Sequence, residues 1–388
     1  MKFIVKTFKG LEGVLAQEVR GLGIEGVETL KRAVAFEGDL KTMYRANLEL
    51  RTALRVLVSM AKFKTTNEHH FYKKIKSIDW TRFFDVNQTF AIDAVTQSNY
   101  LKHSKYLALK AKDAIVDQFR DKLGKRPNVN PRHPDFSLNI HIGRDNVCHL
   151  SIDSTGAPLY QRGYRVETAE APLNEVLAAG LILLSGWRKD CDFIDPMCGS
   201  GTLPIEAAHI AYNIPANIHR KTYLFQKSKK YDALLWQKVR EDAIARQVDF
   251  QYNIKGFDKD FIVVRRANEN VKSANLEGKV IIERQQFERA DTHNNQRGLL
   301  LINPPYDQRL GVEDIDAFYA MIGDQFKNKF QGWHAWIISS NIEAMKHIGL
   351  KTSKRIPLFN GALDCRFQKY EIYAGTKKSS KKSLHNSI

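Results

Sequence analysis

Two short stretches of this 388-residue chain combine residue types that can do chemistry. The first is Asp195-Pro196-Met197-Cys198-Gly199-Ser200-Gly201-Thr202, which follows an apolar run and opens a helical one at Leu203-Pro204-Ile205-Glu206. Glycines at such a junction let backbone approach a ligand at the carboxyl end of a strand. A dinucleotide site asks for Gly-x-Gly-x-x-Gly and an acid about 20 positions later. Here Pro204 stands at the third glycine position, and the next strand-end acid, Asp258, lies much further on. No Gly-Lys-Ser/Thr follows, which excludes a Walker-type phosphate cradle. An acid heading the loop suits S-adenosylmethionine: Asp195 can answer its ammonium and sulfonium side. Asp258, in Gly256-Phe257-Asp258, can then accept both ribose hydroxyls. A purely structural glycine turn is the plainer alternative.

The second stretch, Leu301-Ile302-Asn303-Pro304-Pro305-Tyr306, sets Asn-Pro-Pro-Tyr at the end of an apolar strand. Two prolines fix φ and lack N–H groups, which gives the Pro304 carbonyl a defined direction. The exocyclic amine of a nucleobase is a poor nucleophile because its lone pair is delocalised into the ring. The Asn303 side-chain oxygen and the Pro304 carbonyl can each accept one N–H and favour charge development on that nitrogen. Tyr306 offers a face for stacking, worth roughly 1–3 kcal/mol per base. The motif serves an adenine or a guanine amine and needs no metal. His69-His70 and the isolated His133, His209 and His293 lack ligand spacing, so no metal site is expected. Cys198 has no base nearby to activate it as a nucleophile.

The elements that must position these residues are legible from periodicity. From about residue 171, short apolar strands alternate with helices. Strands are expected at 192–194, 254–257, 280–282, 299–302 and 333–339, with helices at 171–186, 203–213, 260–274 and 316–330. That alternation predicts an α/β, Rossmann-like domain: a mostly parallel sheet with helices on both faces. Two β-rich pieces, 351–357 and 365–374, follow. Upstream, an α+β unit of about 50 residues has a strand at 2–8, a helix with Leu11, Val14, Leu15, Val19 and Leu22 on one face, and Asp39 as a helix cap. Residues 50–160 mix strands with a helix carrying Leu107, Ala111, Ile115 and Phe119, and Gly143-Arg144-Asp145-Asn146 reads as a hairpin turn.

Composition bounds the rest. The chain is 43% hydrophobic and 27% charged, ordinary globular values, with a net charge of +17. No apolar run reaches the roughly 18–20 residues needed to span a bilayer, so no membrane partner is expected. The N-terminus lacks a signal-peptide core. Four cysteines without a Cys-x-x-Cys pair suit a reducing cytoplasm. Residues 51–150 hold 18 basic against 9 acidic side chains, so the surplus gathers at the front, as a polyanion-binding region would require. Lys105 and Lys112 on the long helix, and Lys122, Lys125 and Arg126 in the loop after it, are candidate RNA contacts.

The two motifs together resemble the THUMP-domain-containing RNA methyltransferases, and most closely the N-terminal methylase half of bacterial 23S rRNA guanine-N2 methyltransferases. Tyr160-Gln161-Arg162-Gly163-Tyr164-Arg165, Ala171-Pro172-Leu173-Asn174-Glu175 and Asp307-Gln308-Arg309-Leu310 are similar to that family's sequence at the corresponding places. The resemblance implies a ferredoxin-like subdomain at 1–50, a THUMP RNA-binding domain at 51–160, a methyltransferase domain at 161–375 and a disordered basic tail at 376–388. It implies cofactor contacts from Asp195 through Thr202, from Asp258 and Asn303, and a catalytic centre at Asn303, Pro304, Pro305 and Tyr306. At the third strand the family shows an acid beside an aromatic; here Gln286 and Phe287 stand there and are expected to hold the adenine. Arg162 and Arg165 join the candidate RNA contacts. The implied function is methyl transfer from S-adenosylmethionine to a guanine N2 in RNA, foremost 23S rRNA. A tRNA guanine, a DNA adenine N6 amine, and a non-catalytic role in ribosome assembly are the alternatives. The sequence carries no signal for oligomeric state.

Overall fold

The computed structural model describes residues 1–166, 172–290, 297–306 and 314–373. The expected tail, Ala171, His293 and Asp307–Leu310 lie outside the described residues. The chain divides into two compact units. One comprises Met1–Thr7, Ala16–Leu159 and Arg220–Glu241; the other Phe8–Leu15, Tyr160–His219 and Asp242–Ile388.

The first unit is built on a seven-stranded sheet ordered β2-β3-β1-β4-β7-β6-β5. Its elements are β1 (Lys2–Lys6), α1 (Glu12–Gly21), β2 (Glu28–Leu30), β3 (Ala33–Glu37), α2 (Leu40–Glu49), β4 (Arg55–Lys64), α3 (Glu68–Lys76), β5 (Phe90–Thr96), α4 (Ser104–Leu123), β6 (Phe136–Ile142) and β7 (Val147–Asp153). Asp39 caps α2 in a capping box: its Oδ1 accepts the Thr42 N–H at 2.8 Å, and Thr42 Oγ1 accepts the Asp39 N–H at 3.3 Å. The β6–β7 turn has Asn146 at φ +61°, a left-handed position that asparagine tolerates. The ten-residue β4 pairs with β1 on one side and β7 on the other, so the two front segments share one sheet. Helix α3 was not expected: only Phe71 and Ile75 are buried along its nine residues, too few for a periodic signal.

One segment sits differently from its expected place in 161–375. Residues 220–241 go with the first unit. There Phe225 and Trp236 pack around Tyr44, with ring centroids 4.7 and 5.6 Å away. Arg220 is buried and donates to the carbonyls of Pro158 at 2.9 Å and Thr155 at 3.2 Å, capping a chain reversal. Trp236 is a packing residue.

The second unit holds a seven-stranded sheet ordered β10-β9-β8-β11-β12-β14-β13. Its elements are α5 (Glu175–Ser185), β8 (Asp192–Asp195), α6 (Thr202–Ala211), α7 (Ala233–Ala245, shared with the first unit), β9 (Ile254–Asp258), α8 (Phe261–Ser273), β10 (Ile281–Arg284), β11 (Gly298–Ile302), α9 (Ile315–Lys329), β12 (His334–Ser339), β13 (Thr352–Asn360) and β14 (Leu363–Glu371). Strands β10 through β12 run parallel, and the β13–β14 hairpin joins antiparallel through β14. From β8 the chain builds outward to β9 and β10, then crosses back to β11 on the other side. That reversal is a topological switch point, where open α/β sheets bind ligands beyond the carboxyl ends of their strands. Asp195, Asp258 and Asn303 stand at or just past those ends of β8, β9 and β11.

Candidate active site

The glycine loop is held from three sides. Asp195 is 1% exposed, and its Oδ1 accepts the Met197 N–H at 3.1 Å, closing the turn out of β8. The Cys198 N–H donates to the Phe257 carbonyl at 2.8 Å, and the Gly199 N–H to Asp258 Oδ2 at 3.2 Å, tying the loop to β9. Gly201 leads into α6 at φ +81°, a backbone state closed to most side chains. A Cβ on Gly256 would lie 2.6 Å from Ile282 Cδ1 and 3.0 Å from Cys198 Cβ, so only glycine lets the loop settle on β9.

The electrostatics match a cationic ligand. Burial pushes the Asp195 carboxyl well above the usual carboxylate range, and Asp258 adds to the rise. Burial also raises Asp258, whose Oδ1 accepts the Asp260 N–H at 3.0 Å. Each Asp258 oxygen takes one backbone N–H, and a carboxylate has about four lone-pair sites, so acceptor capacity remains for two hydroxyls. A Cβ at Gly199 would meet nothing within 4 Å, which leaves room above the loop. These residues fit S-adenosylmethionine. Cys198 belongs to the wall: burial and the two acids push its thiol well above its ordinary pKa, against nucleophilic use.

Two expected RNA contacts are corrected. Arg162 is 1% exposed; its Nε lies 3.4 Å from Glu206 Oε1 and its Nη1 donates to Asn217 at 3.2 Å. A guanidinium enclosed with its carboxylate cannot meet a phosphate. Arg165 bonds Glu175 at 2.8 Å and both Ser200 Oγ and Thr202 Oγ1 at 2.9 Å, so its planar fork braces the glycine loop. Asn270 completes the brace, donating to the Ser200 carbonyl at 3.0 Å and accepting the Val166 N–H at 2.9 Å. Sequence reasoning missed Asn270, which lies in a helical stretch without a motif.

Asn303 leaves β11 half-buried, and its Oδ1 accepts the Tyr306 hydroxyl at 2.5 Å. That hydroxyl in turn accepts Asn360 Nδ2 at 3.2 Å, and the Tyr306 carbonyl accepts Asn341 Nδ2 at 3.1 Å. Burial, with Cys365 adding, drives the Tyr306 phenol far above its ordinary pKa, so it stays a neutral donor. Asn341 just past β12 and Asn360 at the end of β13 therefore anchor the motif; neither was foreseen. A polar residue just past a buried strand, as in Ser339-Ser340-Asn341, was the available signal for the first.

The adenine expectation divides. Gln286 is exposed at the end of β10 and adjoins the Asp258 strand. Phe287 is 3% exposed, with its ring 5.9 Å from Phe330 and 6.3 Å from Phe326. Phe287 is a core side chain, so its expected place against the adenine is corrected. Among the candidate RNA contacts on the first unit, Lys112 pairs with Asp113 at 2.6 Å and Lys122 with Asp79 at 2.8 Å. Lys105, Lys125 and Arg126 are exposed and make no ion pair among the described residues. A cavity of about 300 Å³ in the first unit is lined mainly by apolar side chains such as Tyr44, Phe84, Phe136 and Phe225; nothing there suits methyl transfer. Among the described residues no group of His, Cys, Asp and Glu could hold a metal, and no helix is long and apolar enough to cross a membrane.

With two carboxylates at the ends of β8 and β9 and Asn303 beyond β11, the second unit has the fold of an S-adenosylmethionine-dependent methyltransferase. The comparisons agree. Residues 162–369 match the family described as RMKL-like, methyltransferase domain; 2–57 match the RlmL ferredoxin-like domain and 65–153 the THUMP domain. A Synechocystis sp. protein described as "Putative RNA methyltransferase slr0064" is 40% identical, over 94% of this chain and 95% of its own length. The ribosomal RNA large subunit methyltransferase K/L of Syntrophotalea carbinolica is 36% identical over 96% of this chain. This chain spans about half of that relative, 54%. The crystal structure of SMU.472 complexed with SAH superposes with a TM-score of 0.86 at 29% identity, covering 97% of this chain and 99% of that one. The chain belongs to the RMKL-like methyltransferase family, in its THUMP-containing form.

Proposed function

We propose that this protein methylates the exocyclic N2 amine of a guanine in RNA, foremost 23S rRNA, and acts in the cytoplasm. The observation that carries the reading is the Asn303 Oδ1 acceptor at the switch point, one strand from the acid-headed loop. Asn303 and the Pro304 carbonyl would each accept one amine N–H and hold the nitrogen in line for transfer. S-adenosylmethionine supplies, when bound, a methyl group already activated by its sulfonium. Asp195, the loop through Thr202, and Asp258 would hold it, with Gln286 toward the adenine. A base stacked in a helix cannot reach this acceptor, so the target would be extruded into the pocket or taken from a single strand. The THUMP domain and the surplus of basic side chains in the first unit support RNA as the partner.

The test is nucleoside mass spectrometry on RNA from a strain lacking the gene, before and after incubation with enzyme and cofactor. Restored N2-methylguanosine in 23S rRNA is the expected result; its restoration in tRNA would move the substrate. A second reading has one observation in its favour. A Listeria monocytogenes structure described as "a predicted N6-adenine-specific DNA methylase" matches at 27% identity and TM-score 0.85. Methylation of DNA to N6-methyladenine, with none of RNA, would establish that reading instead.

A further inference from the structure

Beyond β11 the chain presents three consecutive carbonyls, from Pro304, Pro305 and Tyr306, and their surroundings differ. The Tyr306 carbonyl accepts Asn341 Nδ2 at 3.1 Å, and the Pro305 carbonyl accepts the Tyr319 hydroxyl at 3.4 Å. Among the described residues nothing donates to the Pro304 carbonyl, although Pro304 itself is buried. Tyr319 lies in the second turn of α9 and Ser339 ends β12; both are completely buried.

The hydrogen bonds behind the motif form a chain. The Asn341 N–H donates to Ser339 Oγ at 3.0 Å, and the Ser339 and Tyr319 hydroxyl oxygens lie 2.7 Å apart. A hydroxyl has one proton to give. With the Tyr319 proton on the Pro305 carbonyl, Ser339 supplies the one between the two hydroxyls. Burial pushes the Tyr319 phenol up to about 12, so it stays a neutral donor at physiological pH. A 3.4 Å contact is long for an O–H donor, as such bonds often are before substrate binds.

Backbone geometry turns that bond into a direction for Pro304. The peptide between Pro304 and Pro305 is planar, and the Pro305 ring fixes its φ. Pro305 ψ is therefore the one soft torsion between the two carbonyls, and a donor on the Pro305 carbonyl sets it. We propose that Tyr319 is a positioning residue for methyl transfer: by engaging the Pro305 carbonyl it aims the Pro304 carbonyl, the second acceptor for the amine. This inference rests on the reading of an exocyclic amine as the target. Tyr319 reaches the reaction only through the motif.

The experiment is single-turnover transfer by full-length protein to RNA from a strain lacking the gene, read by nucleoside mass spectrometry. Tyr319→Phe keeps the ring and removes the donor. Its rate at saturating RNA should fall by roughly tenfold to a hundredfold, as a misdirected group costs. The RNA concentration giving half the maximal rate, and S-adenosylhomocysteine affinity, should stay at wild type. Tyr370→Phe is the matched control. That buried phenol belongs to the same apolar cluster, and its hydroxyl donates to Gln368 at 2.9 Å rather than to the motif. Melting temperatures of the two variants should fall by similar amounts, and only Tyr319→Phe should be slow. A wild-type rate in Tyr319→Phe, equal slowing in Tyr370→Phe, or slowing matched by lost RNA or cofactor affinity would overturn the inference. A wild-type enzyme that forms no N-methylated base in this RNA would instead overturn the reading on which it rests.

Discussion

Asp195 and Asp258 stand at adjacent strand ends, and burial raises both carboxyls, with Asp258 adding to the rise of Asp195 and Asp260 to that of Asp258. A carboxyl whose folded pKa lies above its unfolded value stabilises the fold fully only below the unfolded value, and that contribution is lost as pH rises through the folded pKa. At neutral pH both acids therefore strain the ligand-free protein. Asp195→Asn, which keeps the acceptor for Met197, should raise the melting temperature of ligand-free protein at pH 7 and lower cofactor affinity. Calorimetry at pH 7 and pH 5 checks this, and the stability gain should shrink at the lower pH. Asp258→Ala should also weaken cofactor binding, by roughly 1.5–3 kcal/mol per lost charge-assisted hydrogen bond. Beyond β11, the Tyr306 hydroxyl donates to Asn303 Oδ1, the acceptor proposed for the substrate amine. Tyr306→Phe removes this competitor and keeps the ring, so single-turnover transfer should hold or rise severalfold. Tyr306→Ala should weaken capture of the base, and Asn303→Ala should slow transfer with little change in affinity, the mark of an interaction made in the transition state. Equal rates in wild type and Asn303→Ala would remove the motif from the mechanism.

Among elements, the strands were the legible part, and for a physical reason. Buried parallel strands must be apolar on both faces, so β8, β9, β11 and β12 stand out as short apolar runs ending in polar residues. The glycine loop was legible because its turn needs particular residues. What braces the loop was not, since Arg165 is 35 residues from Ser200 and Asn270 is 70 away, and periodicity carries no information across such gaps. The same basic side chain that reads as a phosphate contact in sequence proves to be a brace once its partners are known. Charge assigns a residue to no particular neighbour. The brace makes a prediction. Arg165→Ala strips the Glu175, Ser200, Thr202 and Leu173 oxygens of a donor and leaves Glu175, with 7% of its side chain exposed, without its cation. Breaking a buried pair costs on the order of 3 kcal/mol, so the melting temperature should drop and cofactor affinity with it. Arg165→Lys should restore little, because a single ammonium cannot span Glu175, Ser200 and Thr202 at once. Full rescue by lysine would mean that charge alone, rather than the fork, holds the loop.

At the scale of the whole chain, sequence order and packing part company. A boundary near residue 160 follows from the change in composition and periodicity, yet 220–241 belongs with the residues before it. Its aromatic side chains carry no address: Phe225 and Trp236 look the same in sequence whether they pack at home or against Tyr44. The consequence bears on any attempt to separate RNA gripping from chemistry by truncation. A fragment starting at residue 161 keeps Phe225, which is 3% exposed, and Trp236, which is 6% exposed, but loses the surface that covers them. Each such side chain returned to water forgoes about 1.5–3 kcal/mol and adds to an apolar patch that invites association. Fragment 161–388 should therefore aggregate, as light scattering on size-exclusion chromatography would report. The same fragment with Phe225→Ser and Trp236→Glu should elute as a smaller species and bind S-adenosylhomocysteine by calorimetry. Its RNA affinity should be far below that of the full chain, with a shallower salt slope, because the basic surplus lies in the part removed. A soluble, unmodified 161–388 fragment would show that 220–241 does not depend on the first unit for its cover. Full RNA affinity in the repaired fragment would instead move the gripping surface into the catalytic unit.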